Sequence, residues 1–138
     1  MGCLVAEAFA LAHPDLAQRL ILIGPPPNPL PQPGNKASMK RAAKVRKEGL
    51  RNVASAVAAA GTSEKTKSHQ SSLFSAVLKS LLSQNPESYV KGCTTLASAQ
   101  HLRHDLTKIK PRILKIGGDE DKVSPPAYTQ KLSKTLPD

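Results

Sequence analysis

Two short apolar runs constrain the fold of this chain more than any other feature. Leu20-Ile21-Leu22-Ile23 is followed by Gly24, and Arg112-Ile113-Leu114-Lys115-Ile116 by Gly117-Gly118. Runs of this length, bounded by glycine and turn residues, read as strands of the kind buried on both faces. Each has a helical pattern beside it. Residues 4–13 place Leu4, Val5, Ala8, Phe9, Leu11 and Ala12 on one broad face, and residues 128–136 set Leu132 and Leu136 one turn apart. The first helix should stop near His13, because Pro14 biases the residue before it away from the helical region. A helix, a tight link and a buried strand form one unit of an α/β fold.

Between the two runs the chain changes character. Six of its twelve prolines fall between Pro25 and Pro33, so residues 25–35 read as an extended loop. Helical patterns alone follow, over residues 36–48, 50–60 (closed by Gly61) and 71–83, with the polar link TSEKTKSHQ before the third. A fourth helix has a full start signal: Asn85 as N-cap, Pro86 at the first helical position and Glu87 in the first turn. It carries Tyr89, Val90, Cys93, Leu96 and Ala97. Residues 101–108 make a short helical link back to the second strand. The expected organisation is core helix and strand over 1–24, a proline-rich loop over 25–35, a helical insertion over 36–100, and strand, loop and helix over 101–138.

The length of 138 residues suits one domain. Two cysteines, Cys3 and Cys93, make neither a disulfide framework nor a metal-ligand cluster. With no apolar run long enough for a bilayer and no secretory pattern, the expected compartment is the reducing cytoplasm. The start Met-Gly-Cys suggests acylation, but Ala6 stands where N-myristoylation wants Ser or Thr, so Gly2 reads as a packing glycine. The formal charge is +10, and seven basic residues crowd residues 36–51. Lys36, Lys40, Lys44, Lys47 and Arg51 are spaced to share one helical face. That face reads first as solvated, then as an attractor of a small anionic substrate, and last as a polyanion site, since no aromatic interleaves it.

The segments 1–24 and 111–126 together resemble two consecutive core units of the α/β-hydrolase family. The start Met1-Gly2-Cys3, leading into an apolar helix, is similar to that family's S-M-G-G-x-x-A, in which the serine is the nucleophile of a strained strand-to-helix elbow. The resemblance puts the serine one residue before Met1 and assigns the amide of Met1 to the oxyanion hole, compromised there by being the terminus. The loop Gly118-Asp119-Glu120-Asp121-Lys122-Val123-Ser124-Pro125 resembles the family's G-x-x-D-x-x-x-P after the seventh strand. Asp121 then takes the part of the triad acid, which holds a histidine in the correct tautomer. Asp119 and Glu120 fall at variable positions. Read without the family, the same loop is an acidic turn or a weak cation site.

In the family order the histidine follows the acid, yet His13, His69, His101 and His104 all precede Asp121. His13 reads as a helix stop and His69 as part of a polar link. His101 and His104 share a helical face but lack a third metal ligand, so they are expected to be solvated and no metal is expected. The helical insertion corresponds to the cap over a hydrolase active site. Residues 44–57 and 85–96 are similar to the cap of oxoadipate enol-lactonases, whose substrates are carboxylates. The resemblance thus implies a partial α/β-hydrolase fold with a four-helix cap, from an enzyme of ester or lactone hydrolysis. It implies no cofactor, nucleic acid or membrane, and no turnover by these residues alone, since serine and base histidine are missing. The alternative is a non-enzymatic helical protein that binds through the basic cap surface.

Overall fold

A computed structural model describes residues 1–27, 29–99 and 104–134. In chain order the elements are α1 (Gly2–Ala12), β1 (Arg19–Ile23), α2 (Gln32–Glu48), α3 (Arg51–Ala60), α4 (Glu64–His69), α5 (Ser71–Leu82), α6 (Pro86–Ser98), β2 (Arg112–Ile116) and α7 (Pro126–Ser133). A 3-10 turn, Leu106–Lys108, precedes β2. The chain divides into two compact units, Met1–Pro31 with Ala99–Asp138, and the contiguous Gln32–Ser98.

The first unit is built on a parallel pair. β1 and β2 align Arg19 with Arg112, Leu20 with Ile113, Ile21 with Leu114, Leu22 with Lys115 and Ile23 with Ile116. The amide of Gly24 extends the ladder by donating to the Ile116 carbonyl at 2.8 Å. Both strands lie where the apolar runs put them. Their burial differs from the expectation of two covered faces. Among the described residues the sheet has two strands, and only Leu22 of β1 is buried. Ile21, Ile23, Leu114 and Ile116 are exposed. An apolar run specifies what a strand would bury, whereas burial itself needs neighbours to cover it. α1 packs against β1 and against the Leu106–Lys108 turn.

The second unit is helical throughout. α2 starts at Gln32, inside the stretch expected to be loop. Pro33 is compatible with that start, because the first turn of a helix has no use for its missing N–H. The four expected helices are present as α2, α3, α5 and α6. A fifth, α4, occupies the polar link. Ser63 caps it by accepting the Thr66 amide at 3.0 Å, and Glu64 and Lys67 pair along it. Gly49 ends α2 with φ +83, a conformation that suits glycine, and its amide reaches the Val45 carbonyl at 2.8 Å. The predicted cap of α6 forms as well: Asn85 Oδ1 accepts from the Ser88 amide at 3.0 Å.

Helices α2 and α6 form the centre of this unit. Ser38, Ala42 and Val45 recur at steps of four and three on α2, as do Val90, Cys93 and Ala97 on α6, and all are buried. Ala42, Val45, Leu50, Val53, Val90 and Cys93 make one cluster, with Val57 and Tyr89 packed on it. The Ser38 hydroxyl donates to the Cys93 carbonyl at 3.1 Å, satisfying a buried polar group. At the surface Arg46 bridges to Glu87 at 2.9 Å. The hydrogen bond from Arg46 holds the Glu87 carboxyl below its ordinary value of 4.5. A carboxyl depressed in the folded state stabilises above the unfolded value and loses that contribution as pH falls. Thermal melts between pH 6 and pH 3 should therefore show a steeper acid decline in the native chain than in Arg46→Ala.

Candidate active site

In open α/β sheets the functional crevice lies beyond the carboxyl ends of the strands, and here those ends carry an acid. β2 finishes at Ile116 and the chain turns at Gly117, where an added Cβ would lie 3.2 Å from Thr129 Oγ1. The Asp121 amide then donates to the Gly118 carbonyl at 3.3 Å. Asp121 Oδ1 accepts two backbone amides, from Val123 at 2.8 Å and Ser124 at 2.9 Å. This is the Asx-type turn that aspartate favours. One carboxylate oxygen is thus committed to shaping its own loop. The other, Oδ2, accepts no hydrogen bond from a described residue and sits 3.4 Å from where a Cβ on Gly24 would be.

The loop is fastened to the end of β1 by one buried side chain. Ser124 is fully buried, and its hydroxyl donates to the Pro25 carbonyl. Gly24 has φ +57, a left-handed value that disfavours other residues. A side chain there would be strained by the backbone conformation, with its Cβ in van der Waals contact with Asp121 Oδ2.

The amino end of α1 reaches the same place. The Cys3 thiol donates to the Ile23 carbonyl at 3.3 Å. Met1 precedes the helix, 51% exposed, and its carbonyl accepts from the amides of Leu4 and Val5 at 3.0 and 3.3 Å. Met1, Gly24 and Asp121, distant in sequence, therefore share the carboxyl end of one strand pair. No acidic residue stands in the first turn of α1 to oppose the positive end of its dipole.

The histidines take other positions. His13 ends α1, its ring 5.1 Å from that of Phe9. His69 is exposed, with Nδ1 2.7 Å from the Ser68 hydroxyl. His101 lies outside the described residues. His104 departs from the expectation of a solvated helical residue. It precedes the 3-10 turn in irregular chain, and its Nδ1 lies 3.2 Å from Glu7 Oε2. The two side chains are 11% and 2% exposed. Glu7 lies on the covered side of α1, and a buried carboxyl needs such a partner. Sequence reasoning missed this pair, although an acid inside a largely apolar helix was a signal. Among the described residues no histidine hydrogen-bonds Asp121, and no group of three His, Cys, Asp or Glu side chains is placed to hold a metal.

The seven basic residues of positions 36–51 are all exposed, and Lys44 pairs with Glu48 at 3.8 Å. Helix α5 has no buried residue, and Leu73, Val77 and Leu82 are exposed. No described helix is long and apolar enough to cross a membrane.

Two solved structures share the fold of this chain. A thermophilic esterase from Thermogutta terrifontis, in a malate-bound structure, is 24% identical with a TM-score of 0.87, the match covering 99% of this chain and 50% of the esterase. The enol-lactonase from Burkholderia xenovorans LB400 is also 24% identical, with a TM-score of 0.84 over 99% of this chain and 51% of the lactonase. This chain spans about half the length of either. No family model and no curated protein matches it.

Proposed function

We propose, on the premise of the partial α/β-hydrolase fold shared with those two structures, that the chain contributes the acid and the cap of a serine-type hydrolase of esters or lactones. The observation that carries this reading is the geometry of Asp121. Its Oδ1 is fixed by two amides, and its Oδ2 stands at the carboxyl end of the sheet without a described donor. In the proposed mechanism Oδ2 accepts the Nδ1 proton of a histidine, keeping the imidazole in the tautomer that deprotonates the serine. The imidazolium formed in that step is stabilised by the same carboxylate. By the family resemblance the serine stands directly before Met1, and the Met1 nitrogen donates to the tetrahedral oxyanion only when peptide-bonded to that serine; as a chain terminus it is an amine and the donor is lost. Both serine and base histidine come from outside these 138 residues. The chemistry needs no cofactor.

The substrate class follows from charge. The exposed cations of α2 favour a small carboxylate ester or lactone, and an enol-lactone is the narrower choice by analogy with the lactonase. The absence of interleaved aromatics argues against a nucleic acid. Two free cysteines, one of them buried, suit a reducing cytoplasm. A second reading, a non-enzymatic protein that binds through its helical surface, draws on the exposed apolar side chains of α5.

Fluorophosphonate labelling separates the readings. The purified 138-residue chain is expected to take no label, because no activated serine is present. A labelled serine within the chain would overturn the assignment of the nucleophile to residues outside it.

A further inference from the structure

The loop after β2 is held down by a hydroxyl rather than by an apolar side chain. From Ile116 to Ala127 every residue is exposed except Asp121, which is partly buried, and Ser124, which is fully buried. Val123, beside it, is 61% exposed. A loop that needed only adhesion would turn the valine inward, because burying an apolar side chain stabilises more than burying a hydroxyl. Ser124 instead makes directed contacts. Its hydroxyl donates to the Pro25 carbonyl, and its amide donates to Asp121 Oδ1 at 2.9 Å. With that hydroxyl proton committed, the Thr129 hydroxyl, 3.4 Å away, is the donor toward Ser124 Oγ.

We propose that Ser124 is the positioning residue of Asp121: it sets where Oδ2 stands against the end of β1, and it acts on the reaction only through that carboxylate. The proposal rests on the hydrolase reading given above. Both amides on Oδ1 belong to the acid's own loop. They turn the carboxylate within the loop and would travel with it if the loop swung. Gly117 and Gly118 open the loop, and glycine gives a backbone wide freedom. The Pro25 carbonyl lies outside the loop, directly after Gly24, whose Cβ site is 3.4 Å from Oδ2. A hydrogen bond to it fixes distance and direction, whereas apolar contact permits sliding.

The same strand end also holds α1. The Ile23 carbonyl accepts from the Cys3 thiol at 3.3 Å, and the Pro25 carbonyl accepts from Ser124. The acid loop and the amino end of α1 are thus tied to neighbouring carbonyls, which fixes the spacing between the acid and the helix that follows the nucleophile by resemblance. Without the Ser124 hydroxyl the buried Pro25 carbonyl loses that donor, and the loop shifts to let it reach water. A misplacement of about 1 Å costs about 100-fold in rate.

The test sets Ser124→Ala beside Ser38→Ala, which deletes an equivalent buried hydroxyl–carbonyl bond in the helical unit. Gly24 adjoins Oδ2, so the NMR shift of its amide on acidification of the full chain reports the charge there. Asp121→Asn should abolish that movement and Ser124→Ala should at least halve it. Ser38→Ala and Ser124→Thr, which keeps the hydroxyl, should leave it unchanged. Ser124→Cys, nearly isosteric but a weak donor, gives the same reading if the alanine variant fails to melt cooperatively. In a hydrolase that has the serine and the histidine in place, Ser124→Ala should lower kcat about 100-fold at unchanged KM. It should add nothing to Asp121→Asn, because both act through one carboxylate. A Gly24 titration untouched by Ser124→Ala, or a kcat loss that persists in full on top of Asp121→Asn, would overturn the positioning role. A weakened Gly24 titration with kcat indifferent to both Asp121→Asn and Ser124→Ala would uphold the positioning of the carboxylate and count against the hydrolase reading.

Discussion

On the proposed mechanism, replacing Asp121 by Asn is expected to lower kcat for ester hydrolysis by about 10,000-fold in a hydrolase that has the serine and the histidine in place. The amide is nearly isosteric with the carboxylate, and its oxygen can still accept the amides of Val123 and Ser124 that Oδ1 accepts now. The loop should keep its shape and the melting temperature should barely move. What changes is the partner offered to the histidine. An Asn NH2 facing imidazole favours the wrong tautomer, leaving no base to deprotonate the serine. KM should stay near its original value, because the proposed mechanism places the acid against the histidine and not the substrate. Steady-state kinetics on a p-nitrophenyl ester, with a thermal melt alongside, checks both parts. A variant of unchanged kcat would remove Asp121 from the catalytic assignment.

The second large effect concerns folding. Val90→Asp is expected to unfold the helical unit. Val90 is fully buried in a cluster with Ala42, Val45, Leu50, Val53 and Cys93. None of those side chains carries a positive charge, and the Cys93 thiol is only a weak donor, so the new carboxylate faces several kcal/mol of desolvation with little to offset it. A core of this size rarely supplies more than about 3–5 kcal/mol in total. Val90→Ala, which leaves only a small void, should cost about 1–3 kcal/mol and remain folded. Far-UV circular dichroism compares the two: most of the helical signal should disappear in the first variant and persist in the second. A cooperative melt near the native temperature for Val90→Asp would mean that the cluster is not what holds the unit together.

The strands were legible because a few apolar residues ended by glycine admit little else. The start of α6 was legible because Asn85, Pro86 and Glu87 are all local signals. Helix α4 was not, since TSEKTKSHQ has no apolar period; it is held by a Ser63 cap and the Glu64–Lys67 pair, which pattern reading underweights. The bare sheet face was misjudged for a different reason: side-chain type states a preference for burial but not whether a neighbour exists to provide it.

The candidate site divides in the same way. Asp121 stands in a local motif, so its position could be read directly. Its anchorage could not, because the Ser124 contact with Pro25 spans 99 positions. The Glu7–His104 pair spans 97. Long-range partners of this kind are set by topology, and no window of the sequence contains both.

The separation of β1 from β2 also bears on how the chain reaches its fold. Their pairing closes a loop of about 90 residues, an entropic cost that must be met before any ladder bond forms. The helical unit Gln32–Ser98 is contiguous and rich in local contacts, the kind of segment that folds fast. Forming it first shortens the effective loop between the strands. The loop around Asp121, anchored to the end of β1 through Pro25, is then among the last parts to acquire its shape, after the helical unit has folded.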